Sequence, residues 1–237
     1  MNKIAEFACA IGLLLLMVCE PASSAERSVA YVIKHPTYGD IGALTAKIDQ
    51  SGDVTRVTFH RHIAVRALGL VVYRQDAEGV EVFRGGRLIS LESHANDDGE
   101  KLEVHGEARG EQFVVDSPSG THVAPAEVIP ADPWFVRRTG EGTLVTPMTG
   151  KILNMRVSGG DEVSVTIENT SVQVRHFIVV AADRQQEVWL DQNDVPIMFR
   201  TVEDGNRVDF IRTPMPDHPG AVPSQEMSLL KRESVGE

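Results

Sequence analysis

The sequence predicts an all-β protein built on a single curved antiparallel meander sheet, a half-barrel or open barrel, with a short helical or loop plug. Three observations point there. Turn-forming clusters recur at short intervals, the runs between them alternate apolar and polar residues, and no stretch carries a long 3.6-residue apolar period.

The turn clusters are Gln50-Ser51-Gly52-Asp53, Glu78-Gly79, Gly85-Gly86, Asn96-Asp97-Asp98-Gly99, Ser158-Gly159-Gly160-Asp161, Gln192-Asn193-Asp194 and Glu203-Asp204-Gly205-Asn206. Gly, Asn and Asp accept the positive φ that tight hairpins need. Between them Leu102 and Val104, Leu153, Met155 and Val157, Val163, Val165 and Ile167, and Val208 and Phe210 fall on one parity, with polar residues on the other. That period of two puts one face on a core and the other in water. Short spacers favour antiparallel neighbours, because a parallel return needs a crossover. The count of such runs predicts about ten strands.

Two stretches, Ile63–Tyr73 and Phe177–Ala182, are apolar on both parities. Strands of that kind are covered on both faces or line an apolar cavity. On the cavity reading Leu68, Leu70, Val72, Phe177, Val179 and Phe199 are the ligand-binding candidates on the concave face. Residues 124–142 carry Pro125, Pro130 and Pro133 followed by Trp134-Phe135. They are expected to form a loop with one helical turn that drops its aromatics onto the sheet and plugs an open end. Trp189, within a strand-like run, reads as a packing residue.

The ends of the chain read differently. Lys3, the uncharged run Phe7–Cys19, Pro21 and the small residues Ser23 and Ala25 match a cleavable signal peptide over residues 1–25. The apolar run is shorter than the roughly 18–20 residues that span a bilayer. Both cysteines, Cys9 and Cys19, lie inside it, so residues 26–237 contain none. Val18 is bulky where a lipoprotein box requires a small residue, so lipid anchoring at Cys19 is not expected. The expected location is the periplasm. Residues 26–212 form the β domain, and residues 213–237, with Pro214, Pro216, Pro219 and Pro223, are expected to be a disordered tail.

The net charge of -11 and the absence of a basic cluster argue against nucleic acid as a partner. No G-x-S-x-G elbow and no phosphate-binding glycine loop opening a helix is present, and no cofactor is implied. His60-Arg61-His62 is the one metal candidate, since an i, i+2 pair on a strand points both rings to one face. No Asp or Glu lies between His62 and Tyr73 to complete a set; His105 or His176 would have to come from another strand.

The order of several short motifs resembles an uncharacterised family of exported bacterial β-rich proteins. The motifs are Glu81-Val82-Phe83-Arg84-Gly85-Gly86-Arg87-Leu88 with Leu91-Glu92-Ser93, then Pro133-Trp134, Leu144-Val145 to Thr149-Gly150-Lys151, Glu187-Val188-Trp189-Leu190-Asp191 and Pro196-Ile197-Met198-Phe199. The resemblance implies a fold similar to the periplasmic lipoprotein carriers, whose half-barrel shelters acyl chains, and transfers shape more than activity. The functional expectation is a non-catalytic binding protein for a hydrophobic ligand, either a lipid or a lipidated protein. An envelope interaction module with a protein partner is the first alternative. A metal-dependent enzyme using His60 and His62 is the second.

Overall fold

The computed structural model describes residues 24–215 except 137, 138, 168, 169, 183 and 204. The signal-peptide expectation falls outside these residues save for Ser24 and Ala25, which pair with Ser51 and Gln50. The tail expectation falls outside them from residue 216 onward.

Among the described residues fifteen strands form one sheet. The first eight are β1 (Ser24–His35), β2 (Gly39–Ser51), β3 (Val54–Ala67), β4 (Leu70–Arg84), β5 (Arg87–Asp97), β6 (Glu100–Arg109), β7 (Gln112–Ser117) and β8 (Gly120–Pro125). The rest are β9 (Ile129–Pro130), β10 (Gly140–Val145), β11 (Ile152–Ile167), β12 (Thr170–Ala181), β13 (Arg184–Leu190), β14 (Pro196–Glu203) and β15 (Asn206–Thr213). The order is β8 through β1, then β15 down to β9. Each half is a meander, and the halves are joined where β15 lies antiparallel to β1, Tyr31 opposite Arg212 and Ile33 opposite Phe210. Among the described residues only β9 and β10 pair in parallel.

The sheet curves but does not close. Its edges, β8 and β9, are consecutive in sequence and are joined by Ala126–Val128, where the Val128 N–H donates to the Pro125 carbonyl at 3.1 Å. Pro125 and Pro130 end the two edge strands, where a missing N–H costs no ladder bond. The concave side is filled. Tyr31, Ile33, Phe83, Leu88, Leu91, Phe113, Val115, Val145 and Leu190 are the large side chains at its centre, drawn from both halves.

The plug is as expected: a 3-10 turn at Pro133–Phe135 buries Trp134 inside the curve. The segment before it is tied to β10 and β13. The Ala131 N–H donates to the Val145 carbonyl at 2.8 Å, and Gln186 Nε2 donates to the Ala131 carbonyl at 3.4 Å. The turn after β10 is tied to β5 in its own right, where Ser93 Oγ donates to the Pro147 carbonyl at 2.7 Å.

The strand count exceeds the expected ten because several turns were not legible, and two expected turns are strand interior. Gly79 sits in the middle of β4, where a Cβ would lie 2.6 Å from Cζ of Phe59; the ring lies over the glycine across the ladder. Gly159 and Gly160 lie inside β11, with φ of 92° and 95°, at a bulge in its pairing with β12. A side chain at Gly159 would collide with the His176 carbonyl, so these glycines bend the strand rather than reverse it. Conversely, Ile63–Tyr73 is not one strand. Leu68 and Gly69, with φ of 51° and 81°, form a two-residue turn between β3 and β4.

A second, smaller apolar cluster lies across β12–β14 from the main core. Val174, Trp189 and Ile197 are its buried members. His176 stacks on Trp189 at 4.6 Å, and the Arg200 guanidinium lies 5.5 Å from the same ring. Trp189 is therefore a packing residue.

Candidate functional site: a cavity at one mouth of the sheet

Four chain segments meet at one end of the curve: the start of β1, the β2–β3 turn, the β4–β5 turn, and the turn between β13 and β14. They enclose a cavity of about 540 Å³. Its apolar lining is Ile48, Val57, Phe83, Trp134 and Val195; its polar lining includes Glu26, Arg27, Gln50, Asp53, Thr55 and Asn193. The register explains the mixture. Arg27 of β1, Ile48 of β2 and Val57 of β3 are cross-strand neighbours on one face, as are Gln50, Thr55 and Phe83, and the turns add Asp53 and Asn193.

An aromatic group fixes the floor. The Trp134 ring lies 5.8 Å from Tyr31 and 6.5 Å from Phe199, and Phe199 stacks on Phe210 at 4.2 Å. Tyr31 donates its hydroxyl to the Pro196 carbonyl at 2.7 Å, and burial pushes that hydroxyl's pKa up. The rim turn is organised by Asp191, whose carboxylate accepts N–H bonds from Asn193 at 2.9 Å and Val195 at 3.0 Å and a bond from Arg212 at 2.8 Å. Burial works against its charge, but Arg212 and these two N–H groups hold the carboxyl below the ordinary carboxylate range.

Behind the floor lies a buried polar group that does not line the cavity. Glu81, opposite Val57 on the ladder, is 0% exposed, and neither of its carboxyl oxygens meets a donor. It faces Asp132, two residues before Trp134. Burial first, then the Asp132 charge, raise the Glu81 carboxyl well above its ordinary value. In its protonated form the Glu81 carboxyl becomes a donor facing Asp132, which removes the mismatch of two acceptor-only oxygens in a buried place. Further along the same face is Arg61, which touches the Met148 sulfur. Burial lowers its pKa and the Asp132 charge opposes that fall. At the far end the Tyr73 hydroxyl donates to Asp97 at 2.6 Å and accepts from Gln75 at 2.9 Å.

The six expected ligand-binding residues are not brought together. Phe177, Val179 and Phe199 are buried in the main core, packed rather than lining a void. Leu68, Leu70 and Val72 are exposed at the β3–β4 turn, on the end of the sheet away from the mouth. The apolar character of both parities at 63–73 has a simple origin: this stretch is a hairpin tip, not a covered strand.

His60 and His62 do share the outer face of β3. Each meets the carboxylate opposite it on β4: His60 Nδ1 is 3.4 Å from Glu78, and His62 Nδ1 is 2.5 Å from Asp76. Among the described residues no three His, Cys, Asp or Glu side chains converge on a common point. No helix among the described residues is long and apolar enough to cross a membrane.

Sequence reasoning missed the cavity residues and the Glu81–Asp132 pair. One signal was available: Glu81 shares strand parity with Phe83 and Ala77. Val80 and Val82 occupy the opposite parity, so the pattern offered two apolar faces and no reason to choose.

Fold and cavity together define a barrel-like β protein with a filled interior and one open mouth. Residues 39–213 match the family described as Domain of unknown function (DUF6134), and the chain belongs to that family. Among solved structures it is similar to a beta-barrel-like protein of domain of unknown function DUF1849 from Brucella abortus, with a TM-score of 0.61 at 9% identity over 81% of this chain and 97% of that one. At that identity the likeness concerns the fold. No curated protein matches the chain.

Proposed function

We propose that this is a periplasmic, non-catalytic binding protein or carrier for a hydrophobic ligand, and that the ligand sits in the mouth rather than deep in the concave face. The observation that supports this reading is the cavity of about 540 Å³, where Ile48, Val57, Phe83, Trp134 and Val195 meet polar and charged residues of β1, β2, β3 and the turns. That volume falls in the few-hundred to roughly 1,000 Å³ span of small-molecule sites. A lining of mixed apolar and polar groups suits a molecule with an apolar body and a polar end, such as the exposed part of a lipid or of a lipidated polypeptide. The filled core argues against swallowing a whole acyl chain.

The test uses the tryptophans. With Trp189→Phe, Trp134 becomes the sole reporter. A brominated fatty acid should quench its emission in a saturable way, and Ile48→Trp or Val195→Trp, which fill the mouth, should weaken displacement of a fluorescent fatty-acid probe about tenfold or more. Native mass spectrometry of protein purified without detergent should find a bound lipid. Unquenched Trp134 together with ligand-free protein would remove the proposal.

A further inference from the structure

We propose that the β3–β4 hairpin is a membrane-docking element that seats its tip in the head-group layer of a lipid bilayer with anionic lipids. It stands apart from the sheet. Pairing of β3 with β2 ends at Ile63, and pairing of β4 with β5 ends at Gln75; beyond that the ribbon is held at its base, where Val65 packs on the core, the Tyr73 hydroxyl donates to Asp97 at 2.6 Å and the Asp98 N–H donates to the Arg74 carbonyl at 2.7 Å. Residues 64–73 therefore form a two-stranded ribbon with no third strand on either edge, about 14 Å long at the rise of a β-strand.

Its composition is the reverse of what a free ribbon in water needs. Leu68 is 103% exposed, Leu70 71%, Val72 54% and Val71 49%. Such ribbons are marginal in water on their own, and edge strands are ordinarily protected by charge. Here the apolar groups occur on both faces and at the turn. A groove on a folded partner covers one face, whereas acyl chains surround both. The charges agree with an anionic surface. The ribbon's only charged residues are Arg66 and, at its base, Arg74, on a chain of net charge -11. Arg74 is bonded to Asp76 at 2.9 Å, which leaves Arg66 as the outermost charge, with a stem long enough to reach phosphates.

Depth is limited by the backbone. The unpaired N–H and C=O groups on both edges of the ribbon require water or head groups, so only the tip side chains enter the apolar layer. Asp97 and Asp98, at the level of Gln75 and Arg74, mark where an anionic surface stops the approach. The proposal stands on the ribbon alone and is independent of what the mouth cavity binds.

Flotation of the protein with vesicles of phosphatidylcholine, alone or mixed with phosphatidylglycerol in equal parts, tests it. The wild type should float, more strongly with the anionic vesicles. Leu68→Ser with Leu70→Ser and Val72→Ser should reduce flotation about tenfold or more, with an unchanged urea midpoint because these side chains are exposed. Arg66→Gln should lower binding to the anionic vesicles only. In a Leu68→Trp variant the new indole should shift its emission to the blue and be quenched by brominated lipid. Wild-type protein that stays at the bottom with both vesicles would overturn the proposal. So would a triple Ser variant that floats as well as wild type, or a Leu68→Trp indole that stays unquenched while the apolar tip is needed to capture a protein.

Discussion

Glu81 on β4 and Asp132 at the head of the plug face each other inside the sheet, where neither Glu81 oxygen meets a hydrogen-bond donor and burial, then the Asp132 charge, hold the Glu81 carboxyl well above its ordinary value. The plug is thus fastened to the sheet wall by an acid–carboxylate contact as well as by the packing of Trp134.

That contact sets a pH dependence with a definite sign. Burial and the Asp132 charge raise the Glu81 carboxyl above 4.5, so the folded state holds a proton that the unfolded state releases. Stability should fall as the pH rises from about 4.5 through the folded-state value. Glu81→Gln keeps a donor toward Asp132 without the ionisation. Its unfolding free energy from urea denaturation should exceed that of the wild type at pH 8, by about 1–3 kcal/mol, and the difference should vanish near pH 4.

Asp191 should act in the opposite direction. Its carboxyl is held below 3.8 in the folded protein, with Arg212 and two backbone N–H groups outweighing burial. The stability it contributes is present above 3.8 and is lost as the pH falls through the folded value. Asp191→Asn should lower the urea midpoint at pH 7 and flatten the profile below pH 4. Its altered turn at residues 191–195 should also weaken any ligand held at the mouth.

Trp134→Ala removes the ring that packs on Tyr31 and Phe199. A loss of about 3–5 kcal/mol is expected, read by chemical denaturation. The cavity should widen at the same time, so a variant that remains folded should accept bulkier probes at the mouth.

Gly79→Ala should destabilise the protein by about 1–3 kcal/mol, although alanine is the better residue for an ordinary strand. The added methyl would fall 2.6 Å from the Phe59 ring. Phe59→Leu in the same chain should recover part of the loss. Unfolding curves of the two single variants and the double variant measure this coupling.

The all-β class, the single sheet, its meander halves and the plug were legible because they follow from alternation and turn chemistry, which act over a few residues. Gly52, Gly85 and Gly99 stand in hairpin turns, as their neighbours suggested. Gly79 and Gly159 do not, because what fixes them is a ring and a carbonyl on another strand. Ile63–Tyr73 misled for a related reason: hydrophobicity marks the absence of water, and a membrane-facing or partner-facing tip gives the same pattern as a covered strand. Val57, Phe83 and Trp134 come together only through the register of β3 and β4 and the path of the plug, and neither is written in local spacing.

The ladder between β1 and β15 joins residues about as far apart in the chain as any, with Ala30 beside Thr213. Until that seam forms, the two meanders are separate half-shells, each with its oily lining open to solvent. Assembly therefore has to wait for the last strand to emerge, and the slow step should be the zipping of first strand to last rather than the growth of either half. A chain made in one place and matured in another would gain from that delay, since it stays threadable until it is complete.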